Sequence, residues 1–553
     1  MEESGLNILA KKLSASGVGG LSLGACHNAS HFYEVGQYRD IASLPNNILL
    51  EIFSFYRQTS KELGDSPWKW KTLVHVCQRW RHIVYASPRR LDLWLLCKHG
   101  TPVRRILDCW PSLPIVIKYW ASLEFRPPSL EDEEDVLAAL GHPNRVRGVQ
   151  IAITSSLWEK VASQMHVPFP ELTSLSLWSD TRTVPVLPNT FLGGSAPCLK
   201  HLSLIGIPFP DLPKLLLSTS DLSSLQLLEV PDAGYIPPDV MTSRLSALTD
   251  LRMLCIEFHS PTSHRDNGRW PRPPPNRITL PNLTCFNFRG VSEYLEDLVL
   301  RIDTPSLNHV NITFFNQLIF HVPHLSQFIC RMEILKSAKV AEMESSFGSG
   351  VSITLDQPVA TRGSVDQSHT ENASSDGIDS GAPLRSTQSG YSYGSWSSAA
   401  QEGDDATGAF GYVLSLRILC GKLDWQVFSM AQICGQSCLL FGVEHLYIHA
   451  DYLQHGWQDD MDSAAWLELF YWCTSVKKLS ISGDLGPHIA PALEEAAGQT
   501  VEEVLPGLST LRFECSRKSA PVELFVNARQ RYGRPVDVRY TPFPSVSDDM
   551  GMG

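Results

Sequence analysis

The sequence predicts an α/β protein in which a small all-α module precedes an irregular solenoid of repeats. Three observations carry that expectation. Two short, strongly apolar stretches, SLPNNILLEIFSFY at 43–56 and LVHVCQRWRHIVYASP at 73–88, lie near the start. Further along, apolar residues recur at i, i+3 and i+5 in one segment after another. At 553 residues the chain is several times the usual domain size, so several units or one long repeat array are expected.

Residues 1–40 carry Gly and Ser with little periodicity and read as a disordered arm. Order is expected from Ile41. Pro45 suits the first turn of a helix, and Ile48, Leu49, Ile52, Phe53 and Tyr56 then form one wide apolar stripe. The second stretch places Trp70, Leu73, Val74, Cys77, Trp80 and Val84 at helical spacing until Pro88 stops it. In SPRRLDLWLLCKHG, Ser87 reads as a cap, Pro88 as the first helical residue and Gly100 as the terminator. TPVRRILDCWP repeats that start with Thr101 and Pro102, and EDEED at 131–135 supplies acidic groups to the start of a helix through VLAAL. Four short helices between 45 and 110 follow, with the module over 41–100 and a helical connector over 101–140.

The repeat segments are VRGVQI, LTSLSL, LKHLSL, LSSLQL, LRMLCI, LTCFNF and LNHVNI, starting at 146, 172, 199, 222, 251, 283 and 307. Their steps of 26, 27, 23, 29, 32 and 24 residues lie close to the span of about 20–29 typical of leucine-rich repeats. Further units are expected at LSQFIC (325), VLSLRI (413), VEHLYI (443), VKKLSI (476) and LSTLRF (508). The solenoid is thus placed over 141–356 and again over 410–542, with a short tail at 543–553. Between the two parts, residues 357–409 are Ser- and Gly-rich and too poor in branched apolar residues to offset their ordering entropy, so a disordered insertion is expected. In each unit the i+3 and i+5 side chains face the core, and those at i+2, i+4 and i+6 line the opposite, concave side. That strip is mixed in character and presents Trp178, His201, Arg289 and His309, with Trp178 and Arg289 as the natural anchors for a protein target.

Lys and Arg total 46 against 58 Asp and Glu, and the resulting charge of −12 argues against nucleic acid as a partner. The thirteen cysteines have no framework spacing and read as free thiols of a reducing compartment. No signal peptide and no membrane-length apolar run is present, so an intracellular location, cytoplasmic or nuclear, is expected.

The segment 43–94 resembles the F-box: Leu44-Pro45, Ile48, Ile52-Phe53, Val76-Cys77, Trp80-Arg81 and a later Leu93-Trp94 follow its order of residue types. RQTSKELGDSPWKWK separates the two helices more widely than the family does and reads as an insertion. Over 87–540 the chain is similar to F-box proteins with leucine-rich-repeat-like tails, of the type abundant in mushroom-forming fungi. SPRRLDLWLLC, LDCWPSLP, FLGGSAPCL, EYLEDLVLRIDTPSLN, FNQLIFHVP and APALEE carry this likeness. The resemblance implies a non-catalytic substrate receptor without cofactor or metal. Leu44, Pro45, Ile48, Leu49, Ile52, Phe53, Val76, Cys77, Trp80 and Arg81 would dock on a Skp-type adaptor and through it a cullin ligase, while the repeats hold a protein target. The alternative is a repeat scaffold uncoupled from ubiquitination. GYSYG at 390–394 matches the G-x-S-x-G nucleophile elbow, but around Ser392 the sequence is low-complexity, not the strand-turn-helix that the elbow requires. LGGSAP at 192–197 reads as a tight turn rather than an oxyanion loop.

Overall fold

The computed structural model describes residues 41–62, 71–86, 93–97, 101–109, 113–119, 130–179, 186–261, 277–317, 319–346, 349–356, 412–437, 439–450, 463–482, 485–498, 502–515 and 520–541. The expected arm, the Ser/Gly-rich insertion with Ser392 and the tail lie outside these, as do residues 63–70 of the interhelical insertion, whose residues 57–62 instead continue the first helix. The chain divides into two units, 1–83 and 84–553.

The first unit is helical: α1 (Asn46–Glu62), α2 (Lys71–Val76) and the start of α3 (Gln78–Ala86). Leu49 and Phe53, one turn apart on α1, are fully buried, and the Phe53 ring packs on Trp80 at 4.8 Å between centroids. The single helix expected over the second stretch is broken at Cys77. Its thiol accepts the Trp80 N–H at 3.4 Å and its carbonyl accepts the Arg81 N–H, so Cys77 starts a new helix.

The second unit is a mixed α/β assembly on one large sheet. Its elements run β1 (Leu93–Leu96), α4 (Val103–Cys109), β2 (Ile115–Tyr119), α5 (Leu130–Leu140), β3 (Val146–Ala152), α6 (Ser155–Gln164), β4 (Ser174–Trp178), β5 (His201–Ile205) and α7 (Leu212–Leu215). Then come β6 (Ser224–Val230), α8 (Pro238–Leu245), β7 (Met253–Phe258), β8 (Ile278–Thr279), β9 (Cys285–Gly290), α9 (Ser292–Arg301), β10 (Ile302–Asp303), β11 (His309–Phe314), α10 (Pro323–Cys330), β12 (Val340–Ser346) and β13 (Gly350–Asp356). The last part holds β14 (Tyr412–Ile418), α11 (Leu423–Gln436), β15 (His445–Ala450), α12 (Ser463–Tyr471), β16 (Lys478–Ile481), α13 (Gly486–Ala496), β17 (Thr510–Phe513), α14 (Glu523–Arg531) and β18 (Asp537–Tyr540). Among the described residues sixteen strands form the sheet in the order β1-β2-β3-β4-β5-β6-β7-β9-β11-β14-β13-β12-β15-β16-β17-β18, and β8 and β10 pair separately.

Parallel in-register pairing stacks like residues into rows. One row passes from Ile117 through Val149, Leu175, Leu225, Phe286, Val310 and Leu414 to Leu511, and each of these is at most 1% exposed. Moving one residue along every strand gives a polar row, Gln150, Ser176, Ser203, Gln226, Asn287, Asn311 and Ser415, on the opposite face. The apolar row makes the core, and the one-residue alternation fixes the register, since a slip would exchange the two faces.

Three expectations need correction. Leu93–Leu96, expected as a helix, is the first strand of the sheet and pairs with Ile115–Lys118, so the sheet begins in the region assigned to the helical module and its connector. LSQFIC, expected as a strand, is α10: Pro323 opens it, and Leu325, Phe328 and Ile329 are the buried residues, at helical rather than strand spacing. β12 and β13 form an antiparallel hairpin, and the chain then returns so that β14 pairs with both β13 and β11. Gly350 opens β13 at φ 126°, where a Cβ would meet the Ile418 carbonyl oxygen at 2.0 Å, so only glycine fits. Ten cysteines among the described residues are free.

A carboxylate from one helix often anchors the start of the next. On α9, Glu296, 1% exposed, accepts the His324 and Leu325 N–H groups of α10 at 2.9 and 2.8 Å. Glu494 of α13 likewise accepts the Leu524 N–H of α14 at 2.9 Å. Glu133, in the acidic start of α5, takes the Thr154 hydroxyl before α6 and the Lys160 ammonium at 3.3 and 3.0 Å. Glu296 and Glu494 satisfy backbone donors that a helix start leaves without an intrahelical partner, whereas Glu133 takes side-chain donors of the first turns.

Candidate docking surfaces

In the helical unit, Arg79 ties the two ends of the motif together. Its Nη2 donates to the Leu44 carbonyl and, at 2.8 Å, to Asn46 Oδ1. This holds the start of α1 beside the break between α2 and α3. The exposed residues Pro45, Ile48, Val76 and Cys77 all lie within three positions of that tie, and Arg81, also exposed, donates Nε to the Val74 carbonyl at 3.0 Å. Ile48 is 42% and Val76 58% exposed, high values for side chains whose burial from water is favourable. Phe55, 64% exposed, extends the Ile48 stripe two helical turns along α1, and Ile41 is 47% exposed just ahead of it. The sequence reading missed Ile41 and Phe55, although Phe55 falls seven residues beyond Ile48.

Ten positions were expected to meet an adaptor, and they fall into three groups. Pro45, Ile48, Val76, Cys77 and Arg81 face outward, Leu44 and Ile52 are half-buried, and Leu49, Phe53 and Trp80 are core. Two neighbouring stripes run along α1, and residue spacing alone did not say which one the module keeps for itself.

The second surface is the polar face of the sheet. Ser174, Ser176 and Trp178 are half-buried while Leu175 and Leu177 are interior, so Trp178 lies on the expected face. His201 is exposed beside Ser174. Above the neutral row, Trp178, Ile205 and Leu228 are register partners and form an apolar corner. Arg289 is on the same face but engaged: its Nη1 meets Glu229 Oε1 at 2.9 Å, and its guanidinium lies over the Phe315 ring at 5.6 Å. Glu229 reaches it from a bulge in β6 between Leu227 and Val230, with φ 50°, a left-handed conformation costing about 1–2 kcal/mol for a non-glycine residue. Its second oxygen faces His259 Nδ1 at 2.9 Å. Burial holds the nearby Glu257 carboxyl above its ordinary range.

His309 is placed differently from expectation. It is 5% exposed and packs on the Tyr412 ring at 4.8 Å, because β14 pairs directly beside β11. Burial lowers its pKa to about 4. Cys255 and Asn287 beside it are also buried, so the middle of the face is sheltered and its flanks are open. The LGGSAP segment is a turn in which Leu192 and Gly193 have left-handed φ of 56° and 66°, and the Gly193 N–H is taken by the Thr190 carbonyl at 2.9 Å. No helix among the described residues is long and apolar enough to cross a membrane. No protein-family model matches the chain, and no curated protein emerges as a relative.

Proposed function

We propose that this chain is the substrate-recognition subunit of a Skp/cullin/F-box type ubiquitin ligase. The helical unit, as an F-box, docks on a Skp-type adaptor, and the sheet unit, as a leucine-rich-repeat-like solenoid, holds a protein target. One observation carries the reading. The residues that match the F-box order, Leu44-Pro45 and Val76-Cys77, sit around the Arg79 tie, and Ile48 and Val76 beside it are left open to solvent. A thin helical unit gains from having such a stripe covered, and an apolar partner surface covers it. The chain itself supplies no catalytic group in this reading; transfer of ubiquitin falls to the ligase it joins. The neutral polar row with its apolar corner at Trp178 suits a protein target better than a nucleic-acid strand.

Co-expression with a Skp-type adaptor tests the assignment. A stable complex that co-elutes through gel filtration is expected. A chain that folds and elutes alone would leave the sheet unit a binding scaffold outside ubiquitination.

A further inference from the structure

Four soft donors share the sheltered middle of the sheet face. Met253 on β7, Cys285 on β9 and His309 on β11 are successive register partners, and each stands one residue ahead of the buried row of Leu254, Phe286 and Val310. Alternation along a strand therefore puts all three side chains on the polar face. Cys255 lies two positions beyond Met253 on the same strand and pairs with Asn287, which places it diagonal to Cys285 on that face. Cys255, Cys285 and His309 are 4%, 2% and 5% exposed, and Met253 is half-buried. Neighbouring strands are about 4.8 Å apart, so the short Cys285 side chain sits between two longer ones, each long enough to reach a point above its sulfur.

The sulfur atoms are held by long contacts that are easily given up. Cys285 Sγ donates to Asn287 Oδ1 at 3.9 Å, Cys255 Sγ donates to Glu257 Oε1 at 3.5 Å, and Met253 Sδ accepts from Gln226 Nε2 at 3.3 Å. The His309 ring is fixed more firmly. It packs on Tyr412 at 4.8 Å and is hydrogen-bonded to the Tyr412 backbone, the kind of outer contact that orients a ligating imidazole. Burial keeps this imidazole neutral near pH 7 and keeps both thiols protonated, with the Cys285 pKa pushed up to about 12. The two thiols are near enough for the charge of Cys285 to act on Cys255.

The donor chemistry decides which ion fits. Among the described residues no three His, Cys, Asp or Glu side chains are placed to hold a metal ion, so this is not the closed nitrogen-and-thiolate centre that zinc requires. Thiolate and thioether together select the soft cuprous ion. Charge points the same way. When Cu(I) binds Cys285, the S–H bond breaks, an S–Cu bond forms and the proton leaves to water, so one unit charge replaces another. A divalent ion on the same thiol would add a charge to a place that desolvates it. We infer that Met253, Cys285 and His309, with Cys255 beside them, form a binding site for a cuprous ion. The site stands apart from the ligase reading, because all four residues belong to the sheet unit and none to the surface offered to the adaptor.

The test offers Cu(I) to the full chain without oxygen, in competition with an excess of the chromogenic chelator bicinchoninate, and reads the colour lost. The excess of chelator strips ions from single surface thiols. The wild type should withhold one ion per chain more than Cys285→Ser does, and His309→Gln should lose that same ion. Cys109→Ser, at an exposed cysteine of α4, should keep it. Met253→Leu, which nearly preserves the side-chain volume, should weaken retention at least tenfold; it carries the test if circular dichroism shows that Cys285→Ser does not fold. No ion withheld by the wild type, or undiminished retention in folded Cys285→Ser or Met253→Leu, overturns the site. Zn(II) withheld by the wild type and released by the same substitutions overturns the assignment to a soft monovalent ion.

Discussion

The strands of the sheet unit and the helices of the first unit treat their apolar side chains differently, the exposed apolar groups of the sheet unit, such as Leu217, Ile319 and Phe441, lying off its strands. The sheet unit buries its rows to the end: Leu175, Leu225, Phe286, Val310 and Leu511 are each at most 1% exposed. The helical unit buries Leu49 and Phe53 and leaves Ile41, Ile48, Phe55 and Val76 between 42% and 64% exposed. A long parallel array can close its core with each added strand, because every strand covers its neighbour. A few short helices cannot, and a stripe of surface remains for something else to cover. Core and proposed docking residues should therefore separate cleanly in the first unit, while in the second the proposed target-binding residues lie on a polar face where substitutions should cost little stability.

The largest effects should come from the shared category, the buried cores. Phe53→Ala should cost about 3–5 kcal/mol and melt the helical unit, and Phe286→Ala should cost as much in the sheet unit. Calorimetry that resolves two transitions would show each substitution lowering its own. A single transition lowered equally by both would show that the two units do not melt separately. Next comes Glu296→Ala, which leaves the His324 and Leu325 N–H groups without their acceptor; a loss of about 2–3 kcal/mol is expected in the sheet unit. Glu296→Gln, which keeps an acceptor oxygen, should lose less.

Acid should weaken the sheet unit through His309. Its folded pKa of about 4 lies below the usual 6.5, so the unfolded chain binds the proton first. Stability is then complete above about pH 6.5 and falls as pH drops toward 4, by about 2 kcal/mol between pH 7 and pH 5. Melting at those two pH values should differ less in His309→Gln than in the wild type. An equal difference would assign the acid sensitivity to other groups. The smallest stability effects, within about 0.5 kcal/mol, are expected at the exposed positions Ile48, Val76 and Arg512.

Much of the sheet was legible because its strands follow one rule. Leu175 and Leu177, or Leu202 and Leu204, sit at i+3 and i+5 of their segments, and parallel pairing repeats that rule from strand to strand. The rule fails where the neighbour comes from far along the chain. Nothing near His309 announces that Tyr412 will cover it, and the β12–β13 hairpin alternates residues in pairs rather than repeating the longer motif. It also fails where local signals imitate another element. Ser87, Pro88 and Gly100 frame Leu93–Leu96 as a helix would be framed, yet pairing with Ile115–Lys118 makes it a strand. In LSQFIC, Leu325 and Phe328 suit either period, and the capping carboxylate that favours the helix comes from Glu296 on another element. On α1 the sequence shows one wide apolar stripe, and only packing on Trp80 assigns its Leu49 and Phe53 side to the interior.

The central claim is that the open stripe of the helical unit, and not its core, binds the adaptor. It is tested most directly by the affinity for a purified Skp-type adaptor of three proteins: the wild type, Ile48→Glu with Val76→Glu, and Trp178→Ala. The double variant should melt as the wild type does and bind at least tens-fold more weakly, as expected when two apolar anchors are replaced by charges at an interface, while Trp178→Ala should bind the adaptor unchanged. A double variant that keeps both the wild-type melting temperature and the wild-type affinity would contradict the claim.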